Sequence, residues 1–291
     1  MQYLNSNPAV VSALVSSVIT LFIFFAKSLA GPIWDKYFHK FKIKTEHEYE
    51  QRKKIKEAIA KYKVPLLEAA EVLNHRLWNF SGNCVNGWHV ITSRENINNK
   101  YYLQSFCYRV LAFLAWCKKF EREMVFLDST LSKKDDLYFV KYIKIMQSIF
   151  SDTVIFNGQG YDSEHATDHF FKDELTSMVE FMITEKGVIT FSDFKQCDSV
   201  KYSEMIKYIS SILLGRNCKK WFLINNFHFV LMAFLSKYGY DYQKTEVKKL
   251  KGLRHSQPQN ILAKNFEFMA VQCKINKCKE MQKILKVLLS N

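Results

Sequence analysis

Glycine and proline are scarce in this sequence. The 291 residues include 9 glycines and 4 prolines, too few for the many tight turns of an all-β sandwich or barrel. Hydrophobic residues make up 48% of the chain and aromatic residues 15%, a composition that is typical of a folded protein and excludes a largely disordered one. The sequence therefore predicts an all-α protein.

The short motifs of common enzymes are also missing. There is no Walker A motif, no GxGxxG after a strand and no GxSxG nucleophile elbow. No arginine after residue 33 is followed by histidine five residues later, so the Arg-x4-His motif of HEPN ribonucleases is absent; these arginines are Arg52, Arg76, Arg94, Arg109, Arg122, Arg216 and Arg254. We therefore predict a protein that is not an enzyme and holds no cofactor.

Neither a disulfide framework nor a metal site is predicted. The seven cysteines are an odd number without regular spacing, so we expect reduced, mostly buried thiols, as in cytosolic domains. His165 and His169 lie four residues apart in a helix expected over residues 163–186, a spacing that brings two imidazoles to one helix face. They lack a third ligand, and an ordinary pair of exposed or core histidines is the preferred interpretation.

One long uncharged run lies near the beginning of the chain. Residues 9–26 carry no charge, and roughly 20 apolar residues in a helix cross a bilayer core. We predict one transmembrane helix over residues 8–30, with the stem of Lys27 reaching toward the headgroups and Gly31-Pro32 ending the helix. The expected organisation is a membrane anchor over residues 1–32 and a helical domain over residues 33–291.

Two other interpretations of this run are less favoured. A cleaved signal peptide would have a basic segment before the run, and the preceding residues contain no Lys or Arg, although residues 28–31 resemble a cleavage site. A buried core helix would have a polar face, and this run is apolar on almost every face.

Positive charge is distributed unequally on the two sides of the run. None precedes it, whereas Lys27, Lys36, Lys40, Lys42 and Lys44 follow it. Because Lys and Arg stay on the cytoplasmic side, we expect a single-pass membrane protein, with the N-terminus outside and the helical domain in the cytoplasm.

Small polar residues recur along the predicted span at helical spacing. Such residues let helices approach closely and hydrogen-bond to one another, so we expect a helix interface or pore lining here rather than a plain anchor, with Phe24 in an apolar constriction and Lys27 at the cytoplasmic mouth. The predicted interface residues are Ser12, Ser16, Ser17, Thr20, Phe24 and Lys27.

The chain is strongly basic, with a formal net charge of +14. The excess is concentrated in residues 36–63 and 244–286. The plainer interpretation is a solvated surface near an acidic membrane, and the more specific hypothesis is contact with nucleic acid or with anionic lipid headgroups. The candidate contact residues are Lys53, Lys54, Lys248, Lys249, Lys251 and Arg254.

Eight to ten helices are expected after the anchor. Residues 101–127 are apolar on nearly every face and are predicted to form the central core helix. Val64-Pro65 is expected to restart the chain in a new helix, and Ser192 to cap a short one. Other helices are predicted over residues 33–63, 66–80, 137–150, 199–214, 216–238 and 281–289.

Two segments resemble bacterial membrane-anchored helical proteins: PLLEAAEVLNHRLWNF (65–80) and YYLQSFCYRVLAFLAWCKKFEREMVFLD (101–128). With one N-terminal span and no intact nuclease motif, the layout is similar to that of the membrane accessory proteins of type VI-B CRISPR systems. The resemblance implies a degenerate HEPN-like domain, a cyclic homo-oligomer that forms a membrane pore, and an RNA-guided effector or RNA as partner. It carries over no catalytic residue.

Two functions follow as expectations. The first is an oligomeric inner-membrane effector that forms a pore or perturbs the membrane in antiphage defence. The alternative is a membrane-tethered nucleic-acid-binding module or an unrecognised nuclease, and a scaffold that only recruits partners is a third hypothesis. The small polar face of the span distinguishes the first function from the second, because a pore or helix interface needs such a face and a simple tether does not.

Overall fold

The computed structural model describes residues 8–92, 95–165, 167–213, 218–256 and 260–290. Within these ranges the regular structure is helical, apart from one isolated antiparallel bridge between Ile183 and Val188. The ten α-helices of the described residues are α1 Pro8–Asn83, α2 Tyr101–Met124, α3 Lys134–Ser148, α4 Lys172–Glu180, α5 Phe191–Gln196, α6 Ser203–Ser210, α7 Lys219–Tyr238, α8 Val247–His255, α9 Ala263–Gln272 and α10 Lys279–Leu288. The predicted all-α fold is confirmed; the HEPN-like relation stays a prediction.

The first helix is much longer than expected. The breaks predicted at Gly31-Pro32 and at Val64-Pro65 are wrong, because α1 continues through both to Asn83. A proline inside a helix removes one backbone hydrogen bond and costs about 3 kcal/mol, which a helix with many other bonds can absorb. Helix α1 ends at Asn83. A short 3-10 turn, Cys84–Asn86, follows it and is closed by Gly87, whose φ is 65°.

The chain divides into two units, Met1–Lys53 and Lys54–Asn291, and α1 contributes to both. In the first unit the described side chains of α1 are mostly exposed. The second unit contains the hydrophobic core, which begins at Ile55. The predicted boundary between anchor and domain, after residue 32, stays a prediction.

Helix α7 is the most deeply buried helix of the second unit. Every residue from Trp221 to Leu235 is buried, whereas α2, predicted to be the central helix, keeps several partly exposed positions, including Tyr108 and Arg109. The reason is visible in the sequence, since α7 has no charged residue between Lys220 and Lys237. Each fully buried large apolar side chain contributes roughly 1.5–3 kcal/mol.

Aromatic rings join the helices of this core. The Phe80 ring of α1 lies 5.6 Å from Trp221 of α7, and the Phe139 ring of α3 lies 5.5 Å from Phe234, also of α7. Helix α2 packs against α3, α4, α5 and α6, and α10 packs against α7 and α8. Edge-on and tilted ring pairs of this kind add about 0.5–1.5 kcal/mol each beyond their buried area.

The helix predicted over residues 163–186 is wrong in extent, since only Lys172–Glu180 is helical; Ala166 lies outside the described residues. Polar side chains hold the preceding segment in turns. Asp162 accepts a hydrogen bond from the backbone N–H of Glu164, and the hydroxyl of Tyr161 accepts one from the backbone N–H of Asp168. Such bonds compete with those of a helix.

The N-terminus of α5 is capped two residues earlier than expected. Thr190, not Ser192, is the capping residue: its Oγ1 accepts from the backbone N–H of Asp193 at 3.2 Å, and the Asp193 carboxylate accepts from the Thr190 backbone N–H at 3.3 Å. This reciprocal pair is a capping box. It starts the turn that buries Phe194.

All seven cysteines are free. Cys84, Cys107, Cys117 and Cys278 are buried, and the other three are partly exposed. Burial raises the pKa of the Cys84 thiol to about 11, so this thiol is protonated and unreactive at neutral pH.

Candidate membrane span and basic surfaces

The first 21 residues of α1, Pro8–Ser28, form the one helix of the described chain that is long and apolar enough to cross a membrane. None of this segment is buried, and Phe22 is 75% exposed. The predicted apolar helix is thus present, and it does not serve as a core helix among the described residues.

The six predicted interface residues lie on one side of this helix. At 3.6 residues per turn, Ser12, Ser16, Lys27, Thr20, Phe24 and Ser17 follow one another around an arc of about 140°. All six are exposed. The opposite side carries larger apolar residues, among them Val15, Val18 and Phe22.

Two hydroxyl groups of this face are already satisfied within the helix. Ser17 Oγ donates to the Ala13 carbonyl at 2.8 Å, and Thr20 Oγ1 donates to the Ser16 carbonyl at 2.8 Å. Because the protons of Ser17 and Thr20 have partners within the helix, these two hydroxyl groups can lie in lipid or against another helix without an unsatisfied donor.

An exposed aromatic group follows the span. Trp34, Tyr37, Phe38 and Phe41 are all more than half exposed, and the rings of Trp34 and Phe38 lie 6.0 Å apart. Lysines 36, 40, 42 and 44 alternate with them and are exposed as well. Aromatic and basic residues in this position are typical of a helix leaving a membrane at the headgroup level.

The basic candidates of the C-terminal region separate into two groups. Lys248, Lys249 and Lys251 are exposed on α8. Arg254, on the same helix, is instead directed to the end of α10, where Nε donates to the Leu288 carbonyl at 2.8 Å and a terminal nitrogen donates to Ser290 at 3.3 Å. A cation here satisfies terminal carbonyls of a helix, so Arg254 has a structural contact. Lys53 and Lys54 are exposed on α1.

A basic groove, which sequence reasoning did not find, lies beside α8. It has a volume of about 570 Å³ and is lined by four lysines, Lys244, Lys279, Lys283 and Lys286, with Glu280 among them. The sequence showed the lysine excess of residues 244–286 but not that α10 would bring its lysines beside Lys244. The helical spacing of Lys279, Lys283 and Lys286 is the signal that places them on one face of α10.

His165 and His169 do not share a helix face. Nδ1 of His165 lies 2.6 Å from Asp162 Oδ2, and Nδ1 of His169 lies 2.6 Å from the Tyr161 hydroxyl. His165 is exposed and His169 is buried, and burial lowers the pKa of His169. The described residues contain no group of three or more metal-ligating side chains.

Comparison of the chain with known protein families, with curated proteins and with solved structures yields no significant match.

Proposed function

We propose that this protein is a single-pass protein of the bacterial inner membrane that self-associates and permeabilises the membrane. The observation that carries the proposal is the apolar helix Pro8–Ser28, which nothing in the described chain covers. Exposed apolar surface costs about 25 cal/mol per Å² in water, so this helix requires lipid or other apolar helices around it.

Self-association is supported by the face that contains Ser12, Ser16 and Thr20. Lipid provides no hydrophobic driving force between spans, so spans associate through close packing and polar contacts, which small residues permit. A single helix cannot enclose a pore, and a conducting assembly must therefore be a closed ring. In that ring the Phe24 side chains form an apolar constriction that gates by dewetting.

The biological setting we propose is antiphage defence coupled to RNA-guided targeting, with an RNA-guided effector or RNA as the partner. Its support is the resemblance of residues 65–80 and 101–128 to bacterial membrane-anchored helical proteins, together with the similarity of the layout to that of the membrane accessory proteins of type VI-B CRISPR systems. The degenerate HEPN-like relation belongs to the same proposal.

The experiment is reconstitution of the full-length protein into vesicles that contain a trapped fluorescent dye. We expect the wild-type protein to release the dye. A chimera whose residues 8–28 are replaced by leucine should insert but release little, because it lacks the small polar face. Ser16→Leu combined with Thr20→Leu should reduce release in the same way.

The control is Val15→Leu combined with Val18→Leu, which also places leucine at two positions, but on the opposite side of the helix and without removing a hydroxyl group, and should leave release unchanged. Full release by the leucine chimera would show that the span is only a tether. A protein that stays monomeric when cross-linked in the vesicles would equally exclude the ring.

A second candidate function is nucleic-acid binding by the helical domain, favoured by the basic groove. Its four lysines and the exposed lysines of α8 provide several phosphate contacts, and each contact releases a counterion and makes affinity dependent on salt. The domain would then hold RNA or DNA at the membrane surface.

This candidate is tested by the binding of a labelled single-stranded RNA at several salt concentrations. Replacing Lys248, Lys249 and Lys251 together with glutamine should weaken binding and lower the salt dependence, whereas Lys195→Gln with Lys201→Gln, exposed on other elements, should not. Equal binding by the two variants would refute the candidate. Loss of binding to anionic vesicles alone would instead assign the lysines to lipid.

A further inference from the structure

Two arginines of the second unit lie in an unusual environment. Arg76 of α1 is only 7% exposed. One terminal nitrogen donates to Ser105 Oγ at 2.7 Å, and the guanidinium lies 4.2 Å from the centroid of the Tyr102 ring. Its Nε is buried and has no hydrogen-bond partner among the residues that the structure describes.

The second arginine, Arg109, belongs to the same helix interface. Tyr102, Ser105 and Arg109 are spaced i, i+3 and i+7 on α2, so they share one face. Asn79, three residues after Arg76, accepts a hydrogen bond from Tyr102 at 2.9 Å. The two helices therefore run antiparallel here, which brings Arg109 opposite the turn of α1 that precedes Arg76.

No carboxylate neutralises this pair. Among the described residues, neither Arg76 nor Arg109 takes part in an ion pair. Burial lowers the pKa of Arg109, and the positive charge of Arg76 lowers it further. Two like charges close together, one buried at Arg76 and one partly exposed at Arg109, repel each other unless an anion compensates them. Arginine is also the side chain best suited to bind carboxylate or phosphate.

A cavity opens at Arg109. It has a volume of about 210 Å³ and lies between residues 65–72 of α1, residues 108–116 of α2 and Val188. Its walls are mainly apolar or aromatic, with Val72, Tyr108 and Trp116 among them, and Glu68 is its acidic member. Glu68 is exposed, so its charge is screened by water. The cavity thus combines one unpaired cation with a flat apolar wall.

We propose that this cavity binds a small organic anion, whose phosphate or carboxylate contacts Arg109 while its apolar or aromatic part packs against Trp116 and Tyr108. Arg76 is a positioning residue that adds positive potential behind Arg109. The inference does not depend on the span or on pore formation.

The experiment is calorimetric titration of the full-length protein in detergent with phenyl phosphate, benzoate and inorganic phosphate. Phenyl phosphate and benzoate share a phenyl group, so their affinities show whether the site prefers phosphate or carboxylate. Inorganic phosphate lacks the apolar part. We expect saturable binding of at least one phenyl compound, tighter than that of inorganic phosphate. Arg109→Gln should weaken it roughly 10- to 100-fold, the size expected for hydrogen bonds to a charged group.

Arg122→Gln is the matched control, because Arg122 lies on the same helix but pairs with Glu180 at the surface. It should bind as the wild type does. Glu68→Gln should bind at least as tightly, since it removes a negative charge from the cavity. No saturable binding of any probe to the wild type, or equal weakening by Arg109→Gln and Arg122→Gln, would overturn the proposal.

Thermal unfolding without ligand separates binding from a structural role. If the role of Arg109 is to bind an anion, Arg109→Gln removes only its repulsion with Arg76. The Tm of the Arg109→Gln variant should then be no lower than that of the Arg122→Gln variant. A clearly lower Tm would identify Arg109 as a structural residue and would contradict the assignment.

Discussion

His228 lies in the middle of α7 and is 1% exposed. Its Nε2 is 2.9 Å from Asn74 Oδ1, and because an amide oxygen only accepts, Nε2 carries the proton. Nδ1 is buried without a partner, and the ring lies edge-on to Trp78 with centroids 5.0 Å apart. A charged imidazole would keep the bond to Asn74 but lose its hydration, and this burial lowers the pKa of His228 to about 3.

This burial predicts a loss of stability in acid. The unfolded chain binds a proton at His228 below about pH 6.5, whereas the folded chain does so only near pH 3. Stability from the neutral ring is therefore complete above pH 6.5 and falls as the pH drops toward 3, by about 2 kcal/mol at pH 5. Urea unfolding at pH 7 and pH 5 should show that His228→Gln loses about 2 kcal/mol less than the wild type.

The control for this measurement is Val200→Ala, because Val200 is exposed and carries no titratable group. It should show the wild-type pH dependence. The pKa values of His89 and His169 are also lowered by burial, but both residues are present in every variant and cancel in the difference. An identical pH dependence for His228→Gln and the wild type would mean that His228 is not neutral in the fold.

At the scale of the element, the ends of helices are decided by side chains that compete for backbone groups. Thr190 and Asp193 form a capping box, whereas residue type alone led to the prediction of Ser192 as the cap. The structure shows why Thr190 is used: the bridge between Ile183 and Val188 and the bond from Ile189 N–H to the Met182 carbonyl fix the chain just before it. These contacts are not local in sequence, so residue type could not reveal them.

Replacement of the cap gives a prediction with an internal control. Thr190→Ala removes the side-chain acceptor for Asp193 N–H and should cost about 1 kcal/mol of unfolding free energy. Ser192→Ala, in the exposed first turn of the same helix, should change it by less than about 0.5 kcal/mol. Urea unfolding, together with amide exchange of residues 190–196, measures both. Equal effects of the two substitutions would mean that the capping box does not hold α5.

At the scale of the whole molecule, the helical class and the apolar span could be predicted because composition and hydrophobic periodicity depend on local sequence. The basic groove and the arginine pair could not. Arg76 and Arg109 are 33 positions apart in the sequence, and only the packing of α1 on α2 shows that they lie close together and that neither forms an ion pair within the described part of the chain. The same applies to Arg254, whose charge suggested a phosphate contact and whose side chain is held at the end of α10.

If Pro8–Ser28 crosses a membrane as proposed, its orientation depends on the charges at its two ends. Residues 1–7 contain no Lys or Arg, whereas Lys27, Lys36, Lys40, Lys42 and Lys44 follow within about two dozen residues of the span centre. Because positive residues near a span stay in the cytoplasm, a reporter fused after Asn291 should be active in the cytoplasm of bacterial cells and inactive outside.

Changing Lys36, Lys40, Lys42 and Lys44 to glutamine while adding four lysines before Pro8 should invert that result for a substantial fraction of the molecules. The control adds four glutamines before Pro8 and should keep the original orientation. A fusion to the unchanged protein that is active outside the cytoplasm would exclude the proposed topology and, with it, an RNA partner inside the cell.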